Sequence, residues 1–297
     1  MSTSVTPNGP LMLHGEGPVL AMGVHNALGA RLAQEAGFQA VWVSGLELSA
    51  AAGVADANIL SMRDFLETSR QIAQAVSIPV ICDCDTGFGN AMNVMNLMGQ
   101  YQAAGVAGIC IEDKVFPKLN SFAQGKQKLL SRAAFAGKIE AAKHAQTRDD
   151  FMVIARTEAL IVGAGLDEAL LRATTYASAG ADIVLIHSKA PNPDEICEFL
   201  ERWDRETPIA VVPTTYPQLD ADALHGRGAK LVIYANHGIR ASIRAMTETF
   251  AQIFNQRSTL EAEKAIAPLS RIFALQDMET FLEYEKRFVR DEEETQS

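Results

Sequence analysis

Two aspartates follow directly on a short apolar run of the chain. Asp83 and Asp85 come after Ile78–Cys82, which has the length and composition of a buried strand. Gly87 and Gly89 come next, so the backbone either turns tightly there or lets another group approach closely. Carboxylates at the end of a buried strand are costly unless something neutralises them, and Mg2+ prefers oxygen ligands. We therefore predict a divalent-cation site here rather than an acidic surface turn.

Polar side chains also end most of the other predicted strands. They are Ser44 and Gly45, Glu112–Lys114, Arg156 and Glu158, His187–Lys189, Pro213–Thr215, and Asn236 with His237. The carboxyl ends of parallel barrel strands meet at one mouth, where the active sites of such barrels lie. The general polarity of loops explains one or two of these strand ends but not so many, which favours a functional site.

The residue types at the strand ends suit a small anionic substrate. Asp83, Asp85 and Glu112 are acids that could bind a metal. Arg156 and His187 could donate to an anion. Ser44, Gly45 and Leu46 form a turn rich in backbone N–H groups. Such a set stabilises developing oxyanion charge and fits an α-keto acid or its enolate. Arg156 alone could be a structural ion pair and His187 alone a core histidine. Their adjacency at neighbouring strand ends favours a phosphate or carboxylate clamp.

Alternating strand and helix patterns predict how these residues are positioned. The eight predicted strands are Val19–Val24, Ala40–Val43, Val80–Cys82, Gly108–Ile111, Met152–Ala155, Ile183–Ile186, Ile209–Val212 and Leu231–Tyr234. Helical patterns cover Ala27–Ala36, Ser61–Val76, Asn93–Ala104, Arg132–Ala145, Asp167–Ala179, Pro193–Trp203 and Ile239–Asn255. Glycine precedes the even-numbered strands and proline three odd ones. This two-unit rhythm favours a closed (β/α)8 TIM-type barrel, and no G-x-G-x-x-G follows the first strand, which disfavours a dinucleotide fold.

Length and composition exclude several other classes of protein. The chain has 297 residues, 48% of them hydrophobic, which one barrel accommodates. The net charge of −10 argues against nucleic acid, and no apolar run approaches the roughly 20 residues of a membrane span. Met1–Pro10 lacks a signal-peptide core and the four cysteines lack disulfide or zinc spacing, which predicts a cytoplasmic protein. We expect a barrel domain over residues 1–256 and a helical extension over residues 257–297.

Five motifs resemble the phosphoenolpyruvate mutase branch of the isocitrate lyase superfamily. They are Trp42–Leu46 (WVSGL), Asp83–Asn90 (DCDTGFGN), Ile111–Lys118 (IEDKVFPK), Ala155–Ala159 (ARTEA) and Ile186–Lys189 (IHSK). The resemblance runs from about Val24 to Phe254. It implies an α/β barrel whose last helix is exchanged between subunits, commonly in a tetramer. It also implies Mg2+ and interconversion of phosphoenolpyruvate with phosphonopyruvate.

The resemblance also implies a role for each matching residue. Asp83 matches the acid nearest Mg2+, while Asp85 and Glu112 match acids that hold its waters. Trp42, Ser44, Gly45 and Leu46 match the segment that binds the pyruvyl oxygens. Arg156 and His187 match the phosphoryl clamp, Asp56 an acid near the migrating phosphoryl group, and Lys118 and Asn120 the gating loop. Cys84, Phe88 and Thr157 depart from the family pattern without removing a needed charge.

Three reactions of the superfamily remain to be separated. The family's carbon–carbon lyases carry a cysteine for acid–base chemistry in the loop that corresponds to Phe116–Ser121. This loop has no cysteine, which argues against a lyase. Phosphonopyruvate hydrolase resembles this chain closely but carries threonine where Asn120 stands. An asparagine amide can donate to a transferring phosphoryl oxygen and help exclude water, so Asn120 favours the mutase. Thr214–Pro217 and Asp56–Ser61 resemble both enzymes, and the hydrolase stays the alternative.

Further expectations concern mobile and terminal segments and the class of protein. Lys114–Ser131 exceeds the roughly 12 residues of an ordinary connection, which predicts a lid over the substrate. Lys264–Phe288 has the spacing of a helix, which the resemblance places against a neighbouring subunit of a homodimer or homotetramer. Asp291–Ser297 is expected to be disordered. A metabolite-binding barrel without activity is a further alternative, but such a protein is expected to have lost some of the charged strand ends.

Overall fold

The structure is a computed structural model that describes residues 13–125 and 127–290. Within those residues, parallel strands form a closed barrel in which each strand pairs with the next and the last pairs with the first. The strands are β1 (Val19–Val24), β2 (Ala40–Val43), β3 (Val80–Asp83), β4 (Gly108–Glu112), β5 (Met152–Thr157), β6 (Ile183–Ile186), β7 (Ile209–Val211) and β8 (Ala229–Tyr234). The predicted TIM-type (β/α)8 barrel is confirmed.

Helices follow the strands in the expected alternation. They are α1 (Ala27–Glu35), α2 (Gly45–Ala51), α3 (Met62–Ala75), α4 (Ala91–Ala103), α5 (Arg132–His144), α6 (Leu166–Ser178), α7 (Asp194–Arg202), α8 (Ala221–His225), α9 (His237–Gln256), α10 (Leu269–Leu275) and α11 (Met278–Phe288). The short helices α2 and α8 were missed by the sequence patterns because each is at most two turns long. Ser61 and Asp64 form a capping box at the start of α3, since the side chain of each accepts from the backbone N–H group of the other.

The glycines that precede the even-numbered strands share one backbone conformation. Gly37, Gly105, Gly180 and Gly228 have φ angles of 93°, 79°, 100° and 109°, in the left-handed region. A helix that ends in this region turns its chain back toward the barrel, and glycine adopts it without a Cβ clash. The sequence pattern that repeats every two βα units therefore reflects helices that end in the same backbone conformation.

Side-chain alternation along the strands separates the barrel interior from the layer under the helices. On β5, Met152 and Ile154 pack inside the barrel, and the next side chain with that orientation is Arg156. The same two-residue step carries the chain from Ile81 to Asp83, from Cys110 to Glu112 and from Leu185 to His187. The polar groups thus form the layer above the apolar interior, at the carboxyl ends of the strands.

The strand boundaries differ from the predicted ones mainly at this mouth. β3, β4 and β5 continue through Asp83, Glu112 and Thr157, where polar residues led us to end them earlier. Glu112 still pairs with Arg156 in the ladder, because an inward-pointing side chain leaves the backbone hydrogen bonds intact. β7 ends at Val211, one residue before the predicted end.

The C-terminal part departs from the prediction of one helix over Lys264–Phe288. A 3₁₀ turn and two helices occupy that stretch, and Asp277, with a φ of 56°, separates α10 from α11. The chain forms two compact units, one ending at Ile239 and one beginning at Arg240. The domain boundary after residue 256 stays a prediction, and Asp291–Ser297 lies outside the described residues. Among the described residues, no helix is long and apolar enough to cross a membrane.

Candidate active site

A cavity of about 50 Å³ lies at the carboxyl ends of the strands. The predicted site residues that line it are Trp42, Ser44, Leu46, Asp56, Asp83, Lys118, Asn120, Arg156 and His187. Ser121, Phe122, Val212, Thr214, Ala235 and Asn236 complete the lining. Residues from seven strand ends or the loops after them therefore converge, as the barrel prediction requires. Gly45, Asp85 and Glu112 do not line the cavity.

The acids expected around a metal are buried together beside this cavity. Asp85 N donates to Asp83 Oδ1 over 3.1 Å, and both side chains are shielded from water. Burial raises the pKa of Asp83, and it raises the pKa of Asp85 to about 7 against the opposing effect of Lys118. A Cβ atom on Gly45 would lie 3.1 Å from Asp85 Oδ1 and 3.4 Å from Asp83 Oδ2. Glycine therefore lets the turn after β2 approach the acids closely.

Lys118 and Asn120 bring the loop after β4 down onto the acids. Lys118 Nζ lies 2.8 Å from Asp56 Oδ1 and 2.8 Å from Asp85 Oδ1, and Asn120 Nδ2 donates to Asp56 Oδ2 over 2.5 Å. Burial alone would raise the pKa of Asp56, but Lys118 and Asn120 outweigh it and hold the pKa below its ordinary value. The neighbouring carboxylates likewise overcome burial and raise the pKa of Lys118. Asp56 is therefore ionised and Lys118 charged at neutral pH.

Arg156 and His187 are held side by side by Glu158. Arg156 Nε donates to Glu158 Oε1 over 2.6 Å, and His187 Nδ1 lies 2.8 Å from both Glu158 Oε1 and Arg156 Nη2. Burial and the Arg156 charge lower the pKa of His187 despite Glu158, so the imidazole is neutral. Either tautomer fixes the ring and leaves Nε2 for a bound group. The two side chains predicted to form a clamp are thus brought together, and Arg156 carries the permanent charge.

Ser121, Phe122 and Lys114 support the clamp, although sequence reasoning gave them no role. Ser121 Oγ donates to Glu158 Oε2 over 2.5 Å and accepts from Lys114 Nζ over 2.8 Å. Lys114 Nζ also lies 2.9 Å from Glu158 Oε2, and the edge of the Phe122 ring packs on His187. The sequence signals for these residues are their position at a strand end or next to Asn120 and their place in the predicted lid, Lys114–Ser131.

The charge of the site suits a divalent cation. In the network of Asp56, Asp83, Asp85, Glu112 and Glu158 with Lys114, Lys118 and Arg156, carboxylates outnumber cations by two. Glu112 Oε1 accepts no hydrogen bond and lies 3.6 Å from Lys114 Nζ, while Glu112 Oε2 lies 3.4 Å from Arg156 Nε. In the described residues, no three acidic, His or Cys side chains group tightly enough to ligate an ion by themselves. The buried carboxylate oxygens and their excess negative charge fit Mg2+, a hard cation that binds oxygen ligands and keeps several waters.

Glu47 fixes the turn that carries Ser44, Gly45 and Leu46. Ser44 Oγ caps α2 by accepting from Glu47 N over 3.3 Å. The buried Glu47 carboxylate lies 2.6 Å from His25 Nδ1 and accepts from Ile239 N over 3.3 Å. The segments that follow β1, β2 and β8 are thereby connected through Glu47.

Lys138 supports the acidic turn from below. Its Nζ donates to Thr86 O over 2.7 Å, and burial lowers its pKa to about 8. In the unfolded chain a lysine titrates near 10.4, so the native state binds fewer protons between these two values. Stability should therefore rise with pH in that window, by up to about 1.4 kcal/mol per pH unit.

Replacing Lys138 with methionine should remove this pH dependence. We expect the difference in unfolding free energy between wild type and Lys138→Met to shift in favour of the wild type between pH 7.5 and 9.5. Denaturant unfolding at both pH values measures it. Titration of Lys138 is the only effect of the substitution that we expect to change with pH. If the difference in unfolding free energy between the two proteins is the same at pH 7.5 and 9.5, the assignment is wrong.

The fold and the site together define the class of protein. The mouth of the parallel barrel brings together a cluster of acids, an Arg–His pair and an overlying polar loop. Comparison with known proteins shows that the chain is an enzyme of the phosphoenolpyruvate mutase and isocitrate lyase superfamily. The sequence model of the family described as phosphoenolpyruvate phosphomutase matches residues 11–254, and the chain belongs to that family. The predicted resemblance is confirmed.

Similar proteins include a phosphonopyruvate hydrolase and a phosphoenolpyruvate phosphomutase. The chain is 48% identical to phosphonopyruvate hydrolase of Variovorax sp. (strain Pal2), over 91% of this chain and 94% of the relative. A crystal structure of phosphoenolpyruvate phosphomutase from Streptomyces platensis subsp. rosaceus aligns with a TM-score of 0.93 and 53% identity, covering 94% and 98% of the two chains. A phosphonopyruvate hydrolase complex with oxalate and Mg2+ aligns with a TM-score of 0.90 and 45% identity, covering 95% and 98%.

Proposed function

We propose that this enzyme interconverts phosphoenolpyruvate and phosphonopyruvate. The observation that carries the proposal is the position of Asn120, whose amide donates to Asp56 in the lining of the cavity. With Lys118 paired to Asp56 and Asp85, the loop covers the acids and narrows access for water. An intramolecular transfer needs water kept away while the phosphoryl group is between two atoms of the substrate.

Mg2+ is the proposed cofactor. Asp83 would be its direct protein ligand, and Asp85 and Glu112 would hold its waters, in keeping with their burial and excess negative charge. When bound, the ion supplies neutralisation of enolate and carboxylate oxygen charge. The Mg2+ complex of the hydrolase relative supports the same assignment here.

The remaining residues bind the two ends of the substrate. Trp42, Ser44, Gly45 and Leu46 hold the pyruvyl part, which suits their position beside Asp83. Arg156 and His187 hold the phosphoryl part, because its oxygens match a charged guanidinium and an imidazole whose Nε2 carries the proton when Nδ1 accepts from Arg156 Nη2. The substrate then lies across the cavity, between the acids and the clamp.

The transfer itself is dissociative in this proposal. The P–O bond of phosphoenolpyruvate breaks with its electron pair moving to the enolate, the enolate pivots, and its carbon attacks phosphorus to form the P–C bond. Positioning and electrostatics supply most of the catalysis of such loose transfers. Asp56 as a covalent phosphoryl acceptor is less favoured, since both of its oxygens are engaged and its pKa is lowered.

Hydrolysis of phosphonopyruvate to pyruvate and phosphate is the second candidate. The 48% identity to the Variovorax hydrolase favours it, and it uses the same acids and clamp. Supplying the purified protein with phosphonopyruvate and Mg2+, and measuring phosphoenolpyruvate and phosphate in parallel, separates the two. Phosphoenolpyruvate without phosphate supports the mutase, whereas stoichiometric phosphate with pyruvate supports the hydrolase. A carbon–carbon lyase stays the least favoured prediction.

We further propose a homodimer or homotetramer in which α9 contacts a neighbouring subunit. Ile243, Met246, Phe250 and Phe254 follow one another at helical spacing on α9 and are 45–65% exposed. A stripe of this kind on a single chain is typical of a helix with a partner. Exchange of this helix between subunits, as the resemblance implies, belongs to the same proposal.

Light scattering should accordingly give a mass of two or four chains. Phe250→Asp together with Phe254→Asp should lower the oligomer's stability or shift the mass toward the 32.1 kDa monomer. Ala245→Asp, on the opposite side of α9, is the matched control. A wild-type protein that stays monomeric at all concentrations contradicts the proposal.

A further inference from the structure

Asn58 bridges the acidic turn and the overlying loop. It lies between α2 and α3, two residues after Asp56. Asn58 Nδ2 donates to Asp85 Oδ2 over 2.7 Å, and Asn58 Oδ1 accepts from Lys118 N over 2.6 Å. A single side-chain amide thus contacts a proposed metal-site acid on one side and the backbone of the covering loop on the other.

The two partners fix the orientation of the amide. A carboxylate accepts hydrogen bonds and a backbone N–H donates, so only one orientation of Asn58 satisfies both. The reversed amide would set oxygen against the Asp85 carboxylate and NH₂ against the Lys118 N–H. The amide orientation that donates to Asp85 is therefore the same one that accepts from the Lys118 N–H.

The backbone at this position also favours asparagine. Asn58 has a φ of 56°, in the left-handed region that asparagine, aspartate and glycine tolerate better than other residues. Its neighbour Ile59 is 63% exposed and is not in either contact. The local conformation thus turns the amide inward while the next side chain faces water.

We propose that Asn58 is a positioning residue that couples closure of the segment Lys118–Phe122 to the position of the Asp85 side chain. When Asp85 is held in place, Asn58 is oriented to receive Lys118 N–H, and Lys118, Asn120, Ser121 and Phe122 reach the cavity. Because the coupling is reciprocal, closure of the segment in turn favours the position of Asp85 in which it accepts from Asn58. The proposal rests on the proposed active site, but it does not depend on whether the reaction is isomerisation or hydrolysis.

Limited proteolysis tests the coupling without turnover. Lys118 is 6% exposed in the closed arrangement, so trypsin cleaves after it only when the segment opens. Mg2+ with oxalate, the pair bound in the hydrolase relative, serves as the probe. We expect Mg2+ and oxalate together to slow cleavage after Lys118 in the wild type by roughly 10-fold or more. Mass spectrometry identifies the cleaved bond.

Two variants of Asn58 separate coupling from a simple structural bond. Asn58→Asp tolerates the same φ and still accepts from Lys118 N, but it cannot donate to Asp85 and repels it. Asn58→Gly keeps the backbone and removes both bonds, which covers the case in which the aspartate variant fails to fold. We expect both to lose most of the protection, while Ile59→Ala, the matched control in the same loop, keeps it.

Three outcomes would overturn the coupling. They are no protection of the wild type by Mg2+ and oxalate, full protection of Asn58→Asp, and equal loss in Ile59→Ala. Because the readout is bond cleavage without substrate, it stands apart from the identity of the reaction products. As a second readout, coupling predicts that Asn58→Asp lowers kcat more than it raises KM, since the closed state forms after substrate binds.

Discussion

Replacing Asp83 with alanine will abolish turnover. Asp83 is the strand-end acid nearest the cavity, and no other direct protein ligand for Mg2+ is proposed. An ion that stabilises enolate charge contributes several kcal/mol to the transition state, so its loss should lower kcat by roughly 1000-fold or more. The fold should survive, because removing one of several crowded carboxylates relieves repulsion with Asp85 and Glu112.

The assay is consumption of phosphonopyruvate at saturating Mg2+, with circular dichroism to check the fold. Asp149→Ala is the control, since this exposed acid precedes β5 at the opposite end of the barrel. Dialysis of the wild type against EDTA should have the same effect as Asp83→Ala, and added Mg2+ should restore activity to the wild type alone. Full activity of the wild type in metal-free buffer would reject the metal assignment.

Replacing Asn120 with alanine should slow isomerisation by roughly 100-fold or more, the scale of one transition-state donor. The side chain donates to Asp56 and its Oδ1 accepts from Phe122 N over 2.9 Å, so the amide also shapes the segment that covers the cavity. Without it, water gains access to the transferring phosphoryl group, and slow release of phosphate should appear. Asn120→Thr, which places the hydrolase residue type here, should shift the products further toward phosphate.

Both products are followed in parallel from phosphonopyruvate. Leu119→Ala is the matched control, because Leu119 neighbours Asn120 and is 40% exposed. If Asn120→Ala isomerises as fast as wild type, Asn120 does not decide between mutase and hydrolase activity.

Much of the site followed from the sequence because strand geometry is simple. Once Asp83, Glu112, Arg156 and His187 were placed at the ends of parallel strands, the two-residue alternation allowed them only one mouth. Hydrophobic runs and helix-ending glycines supplied those strands. The prediction needed no side-chain detail, and these residues lie at the carboxyl ends of their strands, where Asp83, Arg156 and His187 line the cavity and Glu112 does not.

The contacts between loops could not be predicted in the same way. Asn58 and Lys118 are 60 positions apart, and Ser121 and Glu158 are 37 apart. Such pairs depend on loop conformation rather than on a periodic pattern. Similarly, the break at Asp277 depends on one residue adopting a left-handed φ within an otherwise helical spacing, which propensity alone does not reveal.

The central claim is that the phosphoryl group is transferred within the substrate and is not attacked by water. The most direct test is phosphorus NMR of purified protein with phosphonopyruvate and Mg2+ in water enriched in oxygen-18. We predict that the phosphonate signal gives way to phosphoenolpyruvate whose three non-bridging phosphoryl oxygens carry no oxygen-18; the bridging oxygen comes from the keto group, which exchanges with water before the reaction. Inorganic phosphate carrying one oxygen-18 atom, formed together with pyruvate as the main product, would contradict the mutase and identify the hydrolase.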